Sequence, residues 1–271
     1  MKIRFLLVCL LAFAASHNTS EAQSGNQGFD SLGQSTQIIV VTTADWNIVE
    51  GRLQRYERPT PGAEWHHVGE AISIVVGRNG LGWGAGVAAT ADPGIRAASD
   101  PVKREGDGKA PAGIFELGDA FGYAPGPLSG LRMPYLALTP SIECVDDASS
   151  KHYNRIVDRT AVAVDWKSSE HMRNAGESYV WGIVVGQNGA VVGNNNPPVP
   201  GGGSCVFLHI WHSSEQGTAG CTAMPQSELE TLLTWLDPSR KPLLVQLPEP
   251  AYERVGDLWR LPKAINAIRA H

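Results

Sequence analysis

The residues best suited to chemistry lie in one window, Gly201–Pro225, which reads GGGSCVFLHIWHSSEQGTAGCTAMP. If its first half is a strand, side chains alternate, so Cys205, Phe207, His209 and Trp211 share one face. His212 then belongs to the opposite face unless the strand has already ended. The loop 213–220 turns the chain and delivers Cys221 just before a helix opening at Pro225. That is a sensible place for a nucleophile. Gly217 and Gly220 allow a tight turn whose backbone N–H groups could converge on an oxyanion. A nearby helix N-terminus and a histidine both favour thiolate over thiol. His209 is the candidate general base and Cys221 the attacking atom. Two other readings stay open on spacing alone. Lone cysteines and strand histidines are often plain buried residues. A zinc site of His209, His212 and Cys221 is the second, weakened by the opposite facing of the histidines and the lack of a CxxC or HExxH.

The elements that must position this pair read mostly as strands. Thr36–Thr43 is β-branched, Arg52–Arg58 alternates, and Ala71–Gly77 runs into Arg78-Asn79-Gly80, a hairpin signal. Further strands are expected at Ala112–Leu117, Tyr135–Thr139, Thr160–Val164, Tyr179–Val185, Cys205–Trp211 and Pro242–Leu247, with a second Asn-Gly turn at Gln187-Asn188-Gly189. One helix stands out, Pro225–Leu236, where Leu229, Leu232, Leu233 and Leu236 repeat at helical spacing and Asp237-Pro238 stops the run. Shorter helices are expected at Ser168–Asn174 and Lys263–Ala270. The expected fold is mainly β: a single sandwich or distorted barrel with one or two short helices.

Composition bounds the function. The 271 residues are 42% hydrophobic and 18% charged, with a net charge of −5, which leaves no basic footprint for nucleic acid. No apolar run beyond the N-terminus approaches the ~18 residues of a membrane span. Met1–Ala22 reads as a secretory signal, with Lys2 and Arg4 ahead of the apolar Phe5–Ala15. Residues 23–35 read as a flexible Gly/Ser-rich leader and 36–271 as one domain. Removing the signal removes Cys9 and leaves Cys144, Cys205 and Cys221, an odd count that suggests one disulfide and one free thiol in an exported protein.

The stretch His209…Thr218-Ala219-Gly220-Cys221-Thr222-Ala223-Met224 resembles the catalytic segment of the YkuD-type L,D-transpeptidases, whose signature is a histidine, a short loop and Ser-x-Gly-Cys. Upstream, Arg104-Glu105-Gly106-Asp107-Gly108-Lys109-Ala110-Pro111-Ala112-Gly113-Ile114-Phe115 is similar to that family's G-D-x-(K/R)-T-P-x-G-x-F segment. The resemblance spans Lys103–Leu247. It implies an exported enzyme of the periplasm or cell envelope acting on peptidoglycan stem peptides. The cysteine would attack the L-centre carbonyl of a stem tetrapeptide, release D-alanine and pass the acyl group to an amine, giving a 3→3 cross-link. With water as acceptor the same chemistry is an L,D-carboxypeptidase. A catalytically silent wall-binding module is the remaining alternative.

By position, the resemblance makes Cys221 the nucleophile, His209 the base, and the Gly220 and Cys221 amides the oxyanion donors. It implies no metal or organic cofactor. Family histidines are commonly oriented by a backbone carbonyl. His212, Trp211, Thr222, Lys109 and Arg155 are candidates for substrate contact, as is the Lys103–Lys109 charge cluster generally. Cys144 and Cys205 then remain for a disulfide. The sequence departs from the family where Ala223 replaces an arginine and Ala219 a histidine, and where the His-to-Cys spacing is short. A substrate-carboxylate contact is therefore missing or supplied elsewhere, with Lys151, Arg155 and Arg173 as candidates.

Overall fold

The computed structural model describes residues 32–87, 95–191 and 197–263. It is mainly β, as expected, and its frame is a closed eight-stranded barrel. Around the barrel run β10 (Trp181–Val185), β11 (Phe207–Ile210), β12 (Thr222–Met224), β3 (His66–Val75), β2 (Glu50–Glu57), β1 (Gln37–Thr43), β13 (Leu243–Pro248) and β5 (Ala110–Gly122). Antiparallel pairing of β5 with β10 closes the ring, across a register shift between Ile183 and Val185. Closure leaves the barrel strands no open edge among themselves. Two short strands, β4 (Leu81–Trp83) and β6 (Tyr135–Ala137), extend β5. A second sheet has the order β8 (Ile156–Asp158), β7 (Ile142–Val145), β9 (Ser169–His171).

The β-branched run of β1 is buried along nearly its whole length, because β2 and β13 flank it and core side chains meet both faces. Helix α1 (Gln226–Trp235) follows the leucine spacing: Leu229, Leu232, Leu233 and Leu236 are fully buried where the helix packs on β10 and β11. Burying four leucines contributes on the order of 6–12 kcal/mol of gross transfer free energy, which anchors the helix. A second helix, α2 (Glu249–Trp259), packs on β13 and β1 and sets Trp259 edge-on to Trp83 at 6.1 Å. Among the described residues no helix is long and apolar enough to cross a membrane.

Several local expectations need correction. Thr160–Val164 is turn and bend rather than strand: Asp158 Oδ1 accepts from Thr160 N–H and Oγ1, and Val164 is 48% exposed with no sheet to join. The expected Asn-Gly turn at Gln187-Asn188-Gly189 does form, as a 3-10 turn with Asn188 at φ +51°. Ser168–Asn174 divides into β9 and a 3-10 turn. Helix α2 is not marked by the sequence reading, and residues 264–270 of the expected Lys263–Ala270 helix lie outside the described residues. The end of the expected flexible leader is packed: Leu32 is buried, and Arg58 donates to the Gly33 and Ser35 carbonyls.

Candidate functional site

Strands β11 and β12 lie side by side and parallel, with Leu208 opposite Thr222 and His209 opposite Ala223. Alternation therefore puts Cys221 and His209 on the same face as diagonal neighbours. Both line a cleft of about 770 Å³. The barrel forms one wall of this cleft. Asp146, Ser169 and Glu170, on and beside the second sheet, form the other.

A parallel pair joined by so short a loop needs a firm crossover, and Thr218 supplies it. Its N–H donates to the Val76 carbonyl at 2.9 Å and its carbonyl accepts the Arg78 N–H at 2.8 Å, tying the loop to the end of β3. Its Oγ1 accepts the Gly220 N–H at 3.1 Å and donates to the Cys221 carbonyl at 2.7 Å. Gly217 packs so close that a Cβ would stand 2.6 Å from the Arg78 Cα, and Gly220 takes φ +153°. The two glycines make the turn possible, as the sequence suggests.

Of the two expected oxyanion donors, the Gly220 amide is thus engaged by Thr218. The Cys221 N–H has no acceptor among the described residues. The Cys221 thiol donates towards the Cys205 carbonyl at 3.5 Å, and its sulfur accepts the Phe207 N–H at 3.3 Å. His209 donates from Nδ1 to the Ile210 carbonyl at 2.8 Å. A carbonyl can only accept, so Nδ1 carries the proton and Nε2 keeps a lone pair for the cleft. The Tyr179 ring packs edge-on against the imidazole, with centroids 5.5 Å apart.

The resting charge state differs from the sequence expectation. Burial pushes the Cys221 thiol up to about 12; the Glu170 carboxylate adds to the rise, against the Phe207 N–H and Lys103. Burial lowers His209 to about 4, with His212 acting the same way and the Ile210 carbonyl opposing. At neutral pH the pair is therefore thiol and neutral imidazole, not thiolate and imidazolium. The helix that was expected to favour the thiolate begins at Gln226, and β12 intervenes between it and the sulfur.

Across the cleft, Glu170 accepts from Tyr179 Oη at 2.6 Å. Burial raises the pKa of this carboxyl, and Asp146 raises it further. Removing its charge should ease ionisation of the thiol. Glu170→Gln is expected to speed alkylation of Cys221 by iodoacetamide at pH 7–8 by about threefold or more. An unchanged or slower rate would show that Glu170 does not set the state of the sulfur.

The structure brings some of the other candidates to the cleft and leaves others out. Trp211 and His212 line it. Because β11 has ended at Ile210, His212 turns back to the cleft side, with Nε2 3.5 Å from Ser178 Oγ. Thr222, beside Cys221 in sequence, points the other way and donates from Oγ1 to buried Gln246 at 2.6 Å. Lys109 reaches the Asn79 carbonyl at 2.6 Å, and Arg155 the Gly189 carbonyl at 2.6 Å. Neither lines the cleft, nor do Lys151 and Arg173, the latter stacked 3.8 Å over Tyr123.

From the Lys103–Lys109 cluster, Lys103, Glu105 and Gly106 form part of the wall. Lys103 is committed to Asp107 at 2.8 Å, and Glu105 accepts from Tyr153 Oη at 2.5 Å and from Ser204 Oγ at 2.8 Å. Cys144 and Cys205 form a disulfide that joins β7 to the segment leading into β11. Arg78 also lines the cleft. The sequence marks Arg78 only as part of a turn, although a cation at the tip of a hairpin could have been flagged. Among the described residues no three His, Cys, Asp or Glu side chains group as metal ligands. Comparison with protein-family models, with curated proteins and with solved structures finds no match to this chain.

Proposed function

We propose that this protein is a cysteine acyltransferase of the L,D-transpeptidase kind, acting on peptidoglycan stem tetrapeptides in the cell envelope. The observation that carries the reading is the His209 tautomer. With Nδ1–H committed to the Ile210 carbonyl, Nε2 is a base in the same cleft as a buried thiol and a Cys221 N–H that has no acceptor among the described residues. The two sequence motifs support it from the side of family resemblance. The disulfide accords with an oxidising compartment.

The chemistry follows from the resting state. Nε2 takes the thiol proton as sulfur attacks the L-centre carbonyl, so the thiolate exists only as it bonds to carbon. The oxyanion is stabilised by the Cys221 N–H. The imidazolium returns its proton to the departing D-alanine amine, leaving a thioester. An acceptor amine then attacks that thioester and gives a proton to Nε2. The new amide forms as sulfur leaves, and sulfur recovers its proton from the imidazolium. With water as acceptor, the same steps give the tripeptide.

The test incubates the purified protein with disaccharide-tetrapeptides and reads products by mass, beside a Cys221→Ala variant. Cross-linked dimers lacking one D-alanine, absent with the variant, are the expected result. Tripeptide alone would assign the hydrolase. No product with either protein would overturn the enzymatic reading in favour of a silent binding module.

A further inference from the structure

We infer that Arg78 binds the free C-terminal carboxylate of the acyl donor. The inference deepens the proposed function and rests on it for the identity of the donor. Among the described residues, two that carry a positive charge line the cleft, Arg78 and Lys103. Lys103 is nearly buried and already neutralised, with Nζ on Asp107 at 2.8 Å and on the Arg104 carbonyl at 2.7 Å. Arg78 is exposed, and its guanidinium has no acceptor among the described residues.

The position of Arg78 is built into the fold. Gly217 packs against its backbone, and its N–H donates to the Thr218 carbonyl. Its side-chain stem crosses Gly108, where a Cβ would stand 3.1 Å from Nε and 3.2 Å from Cγ. Gly108 also takes φ +69°, so a side chain there would be strained as well as crowded. Two glycines from distant loops thus leave room for this one residue.

Its address in the site is equally specific. The carbonyl of Thr218 holds the Arg78 backbone, while the hydroxyl of Thr218 holds the Cys221 carbonyl. Arg78 therefore stands beside the turn that carries the nucleophile. Strand β3, which delivers it, pairs Val75 with Ala223, the residue on the cleft floor two places after Cys221. A small residue on the floor leaves space that a guanidinium from the neighbouring strand end can serve. Asp146 and Glu170 occupy the opposite wall and repel a carboxylate from that side, which fixes the donor's direction. A planar fork matches a carboxylate with two parallel hydrogen bonds, which a lysine cannot reproduce.

Binding separates this inference from catalysis. The Cys221→Ala protein is titrated calorimetrically with a stem tetrapeptide bearing a free C-terminal carboxylate and with its C-terminal carboxamide. The acid is expected to bind about tenfold to a hundredfold more tightly than the amide. In Cys221→Ala/Arg78→Ala that preference should fall to near unity, and Arg78→Lys should restore only part of it. Equal affinities in the first protein, survival of the preference without Arg78, or no binding of either peptide would each overturn the assignment. An acid preference without turnover by the wild-type protein would instead keep Arg78 as a carboxylate site and overturn the proposed reaction.

Discussion

Replacing His209 by glutamine is expected to lower kcat/KM on the tetrapeptide by about a thousandfold, the middle of the range for loss of a general base. Glutamine can still donate to the Ile210 carbonyl but offers no basic lone pair at the Nε2 position. The pH dependence makes the prediction sharper. Burial lowers the folded-state pKa of His209 to about 4, so the base stays neutral through mildly acidic pH. The acid limb of wild-type kcat/KM should therefore fall near pH 4 and be absent from the variant. A limb centred near 6.5 would mean a solvated imidazole and would contradict the buried base. The same group gives a stability signature of known sign. Above pH 6.5 it is neutral in both the folded and the unfolded chain and has no effect. As pH drops from 6.5 to about 4 the unfolded chain binds a proton that the folded one refuses. Wild type then loses up to about 3 kcal/mol that His209→Gln retains. Denaturant unfolding at pH 7 and pH 4.5 measures the difference.

What the sequence reveals depends on how local the cause is. The leucines of α1 and the β-branched run of β1 carry their periodicity within one segment, and both form where expected. The Arg78-Asn79-Gly80 turn forms for the same reason, with Gly80 at φ +76° and its N–H on the Gly77 carbonyl. Strand β12 is only three residues long and exists because β11 and β3 lie on either side of it. No local pattern announces such a strand. In the site, alternation suffices to put His209 on the face that meets Cys221. It also implies that Thr222 must face away from Cys221's side, an inference adjacency in the motif obscures. The ionisation state was beyond local reading, because it follows from the depth at which the barrel and second sheet enclose the sulfur. Arg78 is likewise a product of tertiary pairing, since its relation to Cys221 runs through Thr218.

Removing the Cys144–Cys205 bridge should have the largest effect on stability. The bond closes a loop of 61 residues' separation, and restricting the unfolded chain by that much corresponds to about 4 kcal/mol in the chain-entropy description. Strands β8, β9 and β10 lie inside that loop, which opens within β7 and closes just before β11. The bridge therefore staples the wall carrying Glu170 to the segment that leads into β11 and His209. Cys205 sits at φ +53°, held by the bridge and by its N–H on Asn154 Oδ1 at 3.0 Å, and its carbonyl is the acceptor for the Cys221 thiol. The double variant Cys144→Ala/Cys205→Ala avoids leaving a thiol that could pair with Cys221. It is expected to unfold about 10 °C lower than wild type. It should also lose activity at temperatures where it remains folded, because the thiol's acceptor is no longer fixed. A double variant within about 1 kcal/mol of wild type in denaturant unfolding would show that the two walls hold together without the bond. If it unfolds early yet keeps full kcat at low temperature, the bridge stabilises the domain without positioning the nucleophile.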